Sequence, residues 1–328
     1  MGCRNFVAKV LFMLVDPLSD LIHLADAKAV ISAGVKASGY WSMDVDVGTD
    51  LKFVAVTQGE CSVSSGNRIS VRLEKGDCLL IRGPVSFTIG TKLEGEAMRA
   101  ADVFERLQDG FAVIDTGQTP DFTCLGGRME AGEDLSLLTS SLQPLTFLAS
   151  GTKQANRVRW LLEQLEGEMA GAAPGSRVVC EQIMQMVFVE MIRLGIQSGS
   201  IQPGLLSALS EPRIAPALSA IHSEPTHHWN LGELARLCNL SRSQFSARFT
   251  DAAGVSPIEY LFRWRMHLAR KALAKPDSSV AKVAEEAGYQ SEAAFGAAFK
   301  RMFGAPPRRH ISSTTVKHCA AALPTGVF

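Results

Sequence analysis

The chain has 328 residues, of which 46% are hydrophobic and 20% charged. This composition is typical of a soluble globular protein, and the length allows two or three domains of ordinary size. Basic and acidic side chains balance overall, but residues 1–204 contain 18 basic and 24 acidic side chains, whereas residues 205–328 contain 15 and 9. A basic C-terminal third predicts a region that binds phosphate, joined to an acidic region that phosphate repels.

The N-terminus and the cysteines predict a cytoplasmic protein without a membrane partner. The apolar run in residues 6–15 is interrupted by Lys9 and no cleavage site follows it, so we interpret residues 1–12 as an extension before a natural start at Met13. No run approaches the roughly 20 apolar residues of a membrane helix. The seven cysteines are scattered without a Cys-x-x-Cys pair, which indicates reduced thiols that are mostly buried.

One short helix and a set of strands are predicted in the first 130 residues. Residues 16–30 have apolar side chains at helical spacing. From about residue 39 the pattern changes to short apolar or alternating runs separated by glycine and polar turns, which predicts a small antiparallel barrel or sandwich. The six predicted strands are Phe53–Thr57, Cys61–Ser64, Ile69–Leu73, Cys78–Arg82, Ser86–Ile89 and Phe111–Asp115.

Helical periodicity returns in residues 135–149, 154–169 and 177–196, and a Gly-Ala-Ala-Pro-Gly turn predicts that the last two form an antiparallel hairpin. The two apolar stripes of this hairpin exceed what one hairpin must bury. The surplus predicts either a homodimer interface or the packing of both stripes on the barrel. Residues 198–207 are rich in Ser, Gly, Gln and Pro and are predicted to be a linker.

The last third of the chain contains one pattern twice. Residues 234–245 are echoed in residues 283–295, where the turn is one residue longer. Each copy predicts a helix-turn-helix, with units over 230–252 and 280–303 joined by a helix over 257–274. Two such units on a connecting helix about 25 Å long suit two successive major grooves of DNA.

The outward residues of the two predicted recognition helices are candidate DNA contacts. In the first helix small polar side chains leave room for close approach, and arginines can contact phosphate or guanine. The second helix has poor base readers, so this half is predicted to bind mainly through phosphate and DNA shape. For Gln244 we favour a capping role over base reading. The candidates are Arg242, Ser243, Gln244, Ser246, Ala247 and Arg248 in the first helix, and Glu292, Ala293, Gly296, Ala297, Lys300 and Arg301 in the second.

These residues resemble the AraC/XylS family of transcription regulators. Residues 261–266, 287–289 and 295–304 look like that family's signature, within a match that covers about residues 208–312. The N-terminal part is similar to the cupin-type sensor domain of one branch of the family. Its matching pieces are Asp16-Pro-Leu-Ser-Asp20, residues 73–81 and Glu211-Pro-Arg-Ile214.

The resemblance implies an α+β multidomain protein. A cupin-like antiparallel β-barrel with a helical hairpin is expected over residues 13–200, and an all-α tandem helix-turn-helix domain over residues 208–312. It further implies a homodimer that binds the major groove of double-stranded DNA, and in many members a small-molecule effector in the barrel. RNA polymerase is an implied partner if the protein activates transcription, and family membership favours activation over repression.

Two other functions stay open on the sequence. A metal-dependent cupin enzyme needs two or three histidines on barrel strands, but the predicted sensor region contains only His23, on a predicted helix. We therefore predict no catalytic residue, no metal ligand and no cofactor. The barrel could instead only dimerise or bind a protein partner, which would make the chain a ligand-independent regulator. The sequence identifies no effector-binding residue.

Overall fold

The structure is a computed structural model, and it describes residues 16–48, 51–66, 70–114, 119–130, 139–148, 153–171, 173–197, 201–275 and 278–309. The expected extension over residues 1–12 lies outside these ranges. The described strands are β1 (Lys28–Ala37), β2 (Ser42–Val47), β3 (Leu51–Gln58), β4 (Glu60–Ser64), β5 (Val71–Glu74), β6 (Cys78–Arg82), β7 (Val85–Gly90), β8 (Met98–Arg99), β9 (Leu107–Gln108), β10 (Phe111–Ile114), β11 (Phe122–Glu130) and β12 (Leu145–Leu148).

The strands form two sheets that are mostly antiparallel. The strand order is β12-β6-β3-β11-β1-β10-β9 in one sheet and β5-β4-β7-β2-β8 in the other. Two neighbouring pairs, β1 with β10 and β2 with β8, are parallel. This differs from the antiparallel prediction because strands far apart in the chain pair here, and a long connection permits either direction. The predicted β-rich N-terminal part is otherwise confirmed.

The core of this part lies between the two sheets. Phe122 and Leu79 come from the seven-stranded sheet, and Phe87 and Val63 from the five-stranded sheet; all four side chains are buried in one cluster. On β4 the buried and partly exposed residues alternate, as the period of a strand requires. The two sheets therefore bury one shared apolar interior.

Two helix predictions in this region are wrong in part. The helix predicted over 16–30 ends at Leu24, because Asp26 takes a left-handed conformation (φ 46°) and β1 begins at Lys28. The helix predicted over 135–149 is a strand at Leu145–Leu148, which pairs with β6 at the edge of the seven-stranded sheet. Residues 135–138 and 149 lie outside the described residues. In both cases pairing across the sheet decides the structure rather than local periodicity.

Helices account for the rest of the described chain. They are α1 (Pro17–Leu24), α2 (Ala100–Val103), α3 (Lys153–Gly171), α4 (Ser176–Gln197), α5 (Leu205–Leu209), α6 (Ala215–Ser223), α7 (Leu231–Leu237), α8 (Arg242–Ala253), α9 (Pro257–Leu273), α10 (Val280–Glu286) and α11 (Glu292–Phe303). None of the helices in the described ranges is long and apolar enough to cross a membrane.

The predicted hairpin is present, since α3 and α4 pack against each other. Leu161 and Val187 are buried, as expected for the apolar stripes. Trp160 and Met186, which belong to the two apolar stripes of the sequence, are 57% and 47% exposed. Part of each stripe is therefore left uncovered in the single chain.

The described residues separate into two compact units. One, here called the β unit, comprises described residues within 27–132 and 142–202; the other, called the helical unit, comprises those within 1–26, 133–141 and 203–325. Helix α1 thus belongs to the helical unit, although it lies at the opposite end of the sequence. The functional ranges 13–200 and 208–312 stay a prediction.

Candidate nucleic-acid interface

The first helix-turn-helix consists of α7 and α8, each begun by a capping box. The Asn230 side chain accepts from Glu233 N at 3.0 Å, and Glu233 accepts from Asn230 N at 3.2 Å. Ser241 and Gln244 make the same reciprocal pair at the start of α8. Each box satisfies two backbone donors that a helix otherwise leaves unpaired. The expected capping role of Gln244 is confirmed.

The second helix-turn-helix, α10 and α11, has a longer turn, and its helices begin at simple serine caps, Ser279 and Ser291, instead of capping boxes. Four residues separate α7 from α8, and five separate α10 from α11. The left-handed turn position is Asn239 (φ 53°) in the first unit and Gly288 (φ 81°) in the second. Asn and Gly are the residues that adopt this conformation most readily, so both turns form without strain. Gly254 and Gly304 end α8 and α11 in the same left-handed conformation.

The exposure of α8 and α11 agrees position by position. Residues 241–250 and 291–300 have the same sequence of exposed, half-buried and buried classes. Phe245 and Phe249 are fully buried in the first unit, and Phe295 and Phe299 in the second. Each helix therefore uses one phenylalanine face for packing and presents the opposite face to the solvent.

The structure places the candidate contacts of α8 on or beside this outer face. Ser246 and Arg248 are half-buried, and the remaining four are exposed. Arg248 lies 3.5 Å from the Glu211 carboxylate, so its guanidinium is paired within the protein. Arg242 extends over Gly232, where a β-carbon would come within 3.0 Å of the guanidinium. The outer face thus combines two arginines with small side chains.

The candidates on α11 are also on its outer face, with Gly296 half-buried and the others exposed. Two of the charged ones have partners within the protein. The Glu292 carboxylate accepts from Arg308 at 3.0 Å, and the Arg301 guanidinium lies 4.5 Å from the centre of the Phe262 ring. Lys300 extends from the same face.

Four other basic residues, on the connecting helix α9, serve contacts inside the protein. Arg263 pairs with Glu259 at 2.8 Å, and Lys271 donates to the His23 carbonyl. Arg265 donates to two backbone carbonyls. The Arg270 guanidinium lies over the Phe303 ring, 4.3 Å from its centre. These four cations of α9 are therefore engaged in contacts within the helical unit.

A cleft of about 290 Å³ lies between the two helix-turn-helix units. The Arg265 guanidinium forms part of its wall, and burial lowers the pKa of this group. The rest of the wall is mostly aromatic or apolar and consists of His228, Trp229, Ile258, Leu261, Phe262 and Tyr289.

A buried polar network beneath the first unit was not predicted. The His222 side chain is fully buried; its Nδ1 lies 3.1 Å from Asp20 Oδ2, and its Nε2 lies 2.9 Å from Tyr260 Oη. The ring stacks on Trp264, with the ring centres 3.9 Å apart. The only sequence signal was the Asp16–Asp20 motif, whose position gives no indication of a partner 200 residues away.

Nothing in the described part of the chain resembles a metal centre: it contains no group of three or more His, Cys, Asp or Glu side chains that could hold an ion. His23, the histidine considered for such a site, is exposed on α1. Described cysteines are buried free thiols.

Comparison with known proteins agrees with this organisation. A family model described as a cupin matches residues 16–197, and one described as a helix-turn-helix domain matches residues 234–312. A relative from Streptomyces antibioticus, described as an AraC-like transcription regulator, is 34% identical over 301 residues, which is 90% of this chain and 99% of the relative. A protein of the same description from Streptomyces lividans is 33% identical, over 90% of this chain and 98% of its own length.

Among solved structures, the DNA-binding domain of AdpA in complex with a target DNA is 24% identical. The match covers 35% of this chain and 100% of that domain, with a TM-score of 0.31.

Proposed function

Because the chain belongs to the AraC family of transcription regulators, we propose that it binds DNA sequence-specifically through α8 and α11 in two successive major grooves. The observation that carries this proposal is the matching exposure of the two helices, each capped at its start and packed by two buried phenylalanines. The helix that joins the units has 17 residues, about 25 Å at 1.5 Å per residue. A spacer of this size suits sites one helical turn apart, about 34 Å.

The two helices have different roles in this proposal. Helix α8 discriminates between sequences, because Arg242 and Arg248 flank small side chains that permit close approach to base edges. Helix α11 binds mainly through the phosphate backbone, because Lys300 and Arg301 are its cations and its central outer positions are Gly296 and Ala297. Glu292 and Ala293 complete the outer face of α11.

The test is selection of bound fragments from a genomic library by the full-length protein at stated salt. We expect an enriched site with two sub-motifs about one helical turn apart. Arg242→Ala should relax the base preference within one sub-motif. Arg236→Ala is the matched control, because Arg236 is exposed on α7 rather than α8. If the selection enriches only one motif, and Arg242→Ala does not change the bases selected, the proposal that α8 and α11 bind two adjacent sub-motifs is contradicted.

The uncovered apolar side chains of the hairpin support a homodimer formed through α3 and α4. Trp160, Val178, Val179 and Met186 are between 43% and 60% exposed. Sedimentation of the full chain should give a dimer, and Trp160→Arg should give a monomer because it places a charge in a desolvated interface. Leu107→Arg, an exposed apolar position in the β unit outside the hairpin, should leave the dimer intact.

We also propose that the β unit binds a small-molecule effector. Trp41 is 4% exposed, and its Nε1–H has no hydrogen-bond partner among the described residues. A buried unpaired donor costs about 1–3 kcal/mol, and a ligand acceptor would remove that cost. A true effector at about 100 times its dissociation constant should stabilise the protein by about 2.7 kcal/mol, and Trp41→Phe should weaken this effect. If no metabolite shifts the unfolding transition, the ligand-independent alternative is favoured.

The remaining elements of the proposal are a cytoplasmic location, activation of transcription through RNA polymerase, and the absence of catalysis. Reporter expression from the selected site, with and without the protein, tests activation against repression. Stoichiometric iron or manganese in the purified protein would revive the enzyme alternative.

A further inference from the structure

Helix α1 is built to pack on the helical unit. Asp16 caps its start through a hydrogen bond from Leu18 N at 3.1 Å, and Pro17 occupies the first helical position. Its buried side chains are Leu18, Leu21, Ile22 and Leu24. The helix contacts α5, α6 and α9. An apolar face of this kind on an eight-residue helix requires a packing partner, since so short a helix is not stable alone.

The polar contact of α1 reaches the connecting helix through His222. Burial lowers the pKa of His222, which favours the neutral ring. In the neutral tautomer that fits the geometry, Nδ1–H donates to the Asp20 carboxylate and Nε2 accepts from the Tyr260 hydroxyl. Tyr260 is buried, and burial raises its pKa, so the hydroxyl keeps its proton. Donors and acceptors thus alternate correctly along the whole chain of contacts.

The far end of this network touches the first recognition helix. Tyr260 and Trp264 lie one turn apart on α9, and the His222 ring stacks on Trp264. The Tyr260 ring packs edge-on against Phe249 of α8, with the ring centres 5.5 Å apart. The start of α9 is therefore held both by α8 and, through His222, by Asp20.

We propose that Asp20 and His222 are positioning residues for DNA binding, which fix the direction of α9 and so the separation of the two recognition helices. This inference rests on the proposed tandem recognition. Neither residue lies on α8 or α11. Their effect is on the spacing between the two sub-motifs of the DNA site, and not on the bases read within either one.

The experiment measures the affinity of the full-length protein for three DNA duplexes: the selected two-motif site, the same site with one base pair removed between the motifs, and the first motif alone. We expect the wild type to prefer the selected spacing by about tenfold, as expected for one ordinary contact energy. Asp20→Leu should reduce that preference to about threefold or less. Its affinity for the single motif should stay within about twofold of the wild type.

Three variants complete the design. Asp20→Asn keeps an oxygen that can accept from His222 Nδ1–H and should recover most of the spacing preference. Tyr260→Phe keeps the ring against Phe249 but removes the hydroxyl, so it tests the network if Asp20→Leu fails to fold. His23→Asn alters an exposed side chain on the same helix and should behave as the wild type.

The outcomes separate this inference from the proposed function. If the wild type shows no dependence on spacing, tandem recognition itself is wrong. If the wild type shows it and Asp20→Leu retains it, the positioning role is wrong; if Asp20→Leu does not fold, retention by Tyr260→Phe has the same meaning. An equal loss of affinity for all three duplexes would show a role in stability alone, which also overturns the inference.

Discussion

Individual charged and polar residues of the helical unit have two kinds of role. Some, such as His222 and Arg270, are buried and hydrogen-bonded or stacked within the fold. Others, such as Arg242 and Lys300, project from the outer faces of the recognition helices. Residue type alone does not separate the two groups, because an arginine serves equally well over a phenylalanine ring and against a phosphate.

The first prediction concerns the pH dependence of the helical unit. Burial lowers the pKa of His222 from its ordinary value of 6.5, while hydrogen bonding and charge from Asp20, with a further contribution from Asp16, oppose this. The unfolded chain therefore binds this proton more readily than the folded chain. The contribution of neutral His222 to the free energy of unfolding is fully present above pH 6.5 and is lost as the pH falls below that value. Tyr260, facing Nε2, stays protonated throughout.

When the pH is lowered from 7.5 to 5, the unfolding temperature of the full chain should therefore fall less for His222→Gln than for the wild type. His23→Gln controls for the removal of an exposed histidine. Parallel behaviour of wild type and His222→Gln across this range would contradict the prediction.

The second prediction concerns the buried thiols of the β unit. Burial raises the pKa of Cys78 and of Cys124 to about 12 in each case. At pH 8 their thiolate fraction should be about a thousandfold below that of an ordinary cysteine with a pKa near 8.5. Mass spectrometry after brief iodoacetamide treatment should find both unmodified in the folded protein and modified in denaturant. Rapid labelling of either in the folded protein would show that its surroundings are open to water.

At the scale of helices and strands, end signals proved more informative than apolar periodicity. Ser241, Ser256 and Ser291 each cap the start of a helix, the position that serine favours. The apolar run of β12 was predicted as a helix, because four residues are too few to separate the two periods. A cap is a local hydrogen bond, whereas a strand is stabilised by a partner elsewhere in the chain.

The third prediction compares two glycines of the second unit. Gly304 follows α11 with φ 75°, and Gly296 is helical; a β-carbon at either position would meet nothing within 4 Å. Gly304→Ala should lower the free energy of unfolding by about 1–2 kcal/mol through backbone strain alone. Gly296→Ala should raise it by about 0.5–1 kcal/mol, because alanine favours the helix. Urea denaturation measures both, and the same sign for both variants would refute the interpretation.

At the scale of the whole molecule, the distribution of charge follows the order of the sequence, whereas the division into two compact units does not. The basic excess lies in residues 205–328, and most of the helical unit comes from this part of the chain. The unit also includes α1, which the sequence separates from it by the entire β unit. Charge can be counted along the chain, but membership of a core depends on contacts between distant residues.

The fourth prediction uses the salt dependence of DNA binding. Lys300 is exposed on α11, so a phosphate contact by its ammonium group would release about one counterion. Lys300→Ala should weaken binding to all sequences alike and reduce the slope of log affinity against log salt by about 1. Lys282→Ala removes a lysine from α10, where Glu286 lies 3.9 Å away, and should leave the slope unchanged. A changed sequence preference in Lys300→Ala would show base reading instead.

The sequence by itself determined the two helix-turn-helix units, their caps, their longer second turn and six of the twelve described strands of the β unit. These features depend on short-range hydrogen bonds, left-handed turn residues and regular spacing, all of which are visible along the chain. Only the tertiary structure decided that residues 145–148 form an edge strand, that the cations of α9 are engaged within the protein, and that Asp20 reaches Tyr260 through His222. Each of these depends on a partner brought close by folding, and local sequence carries no information about which partner that is.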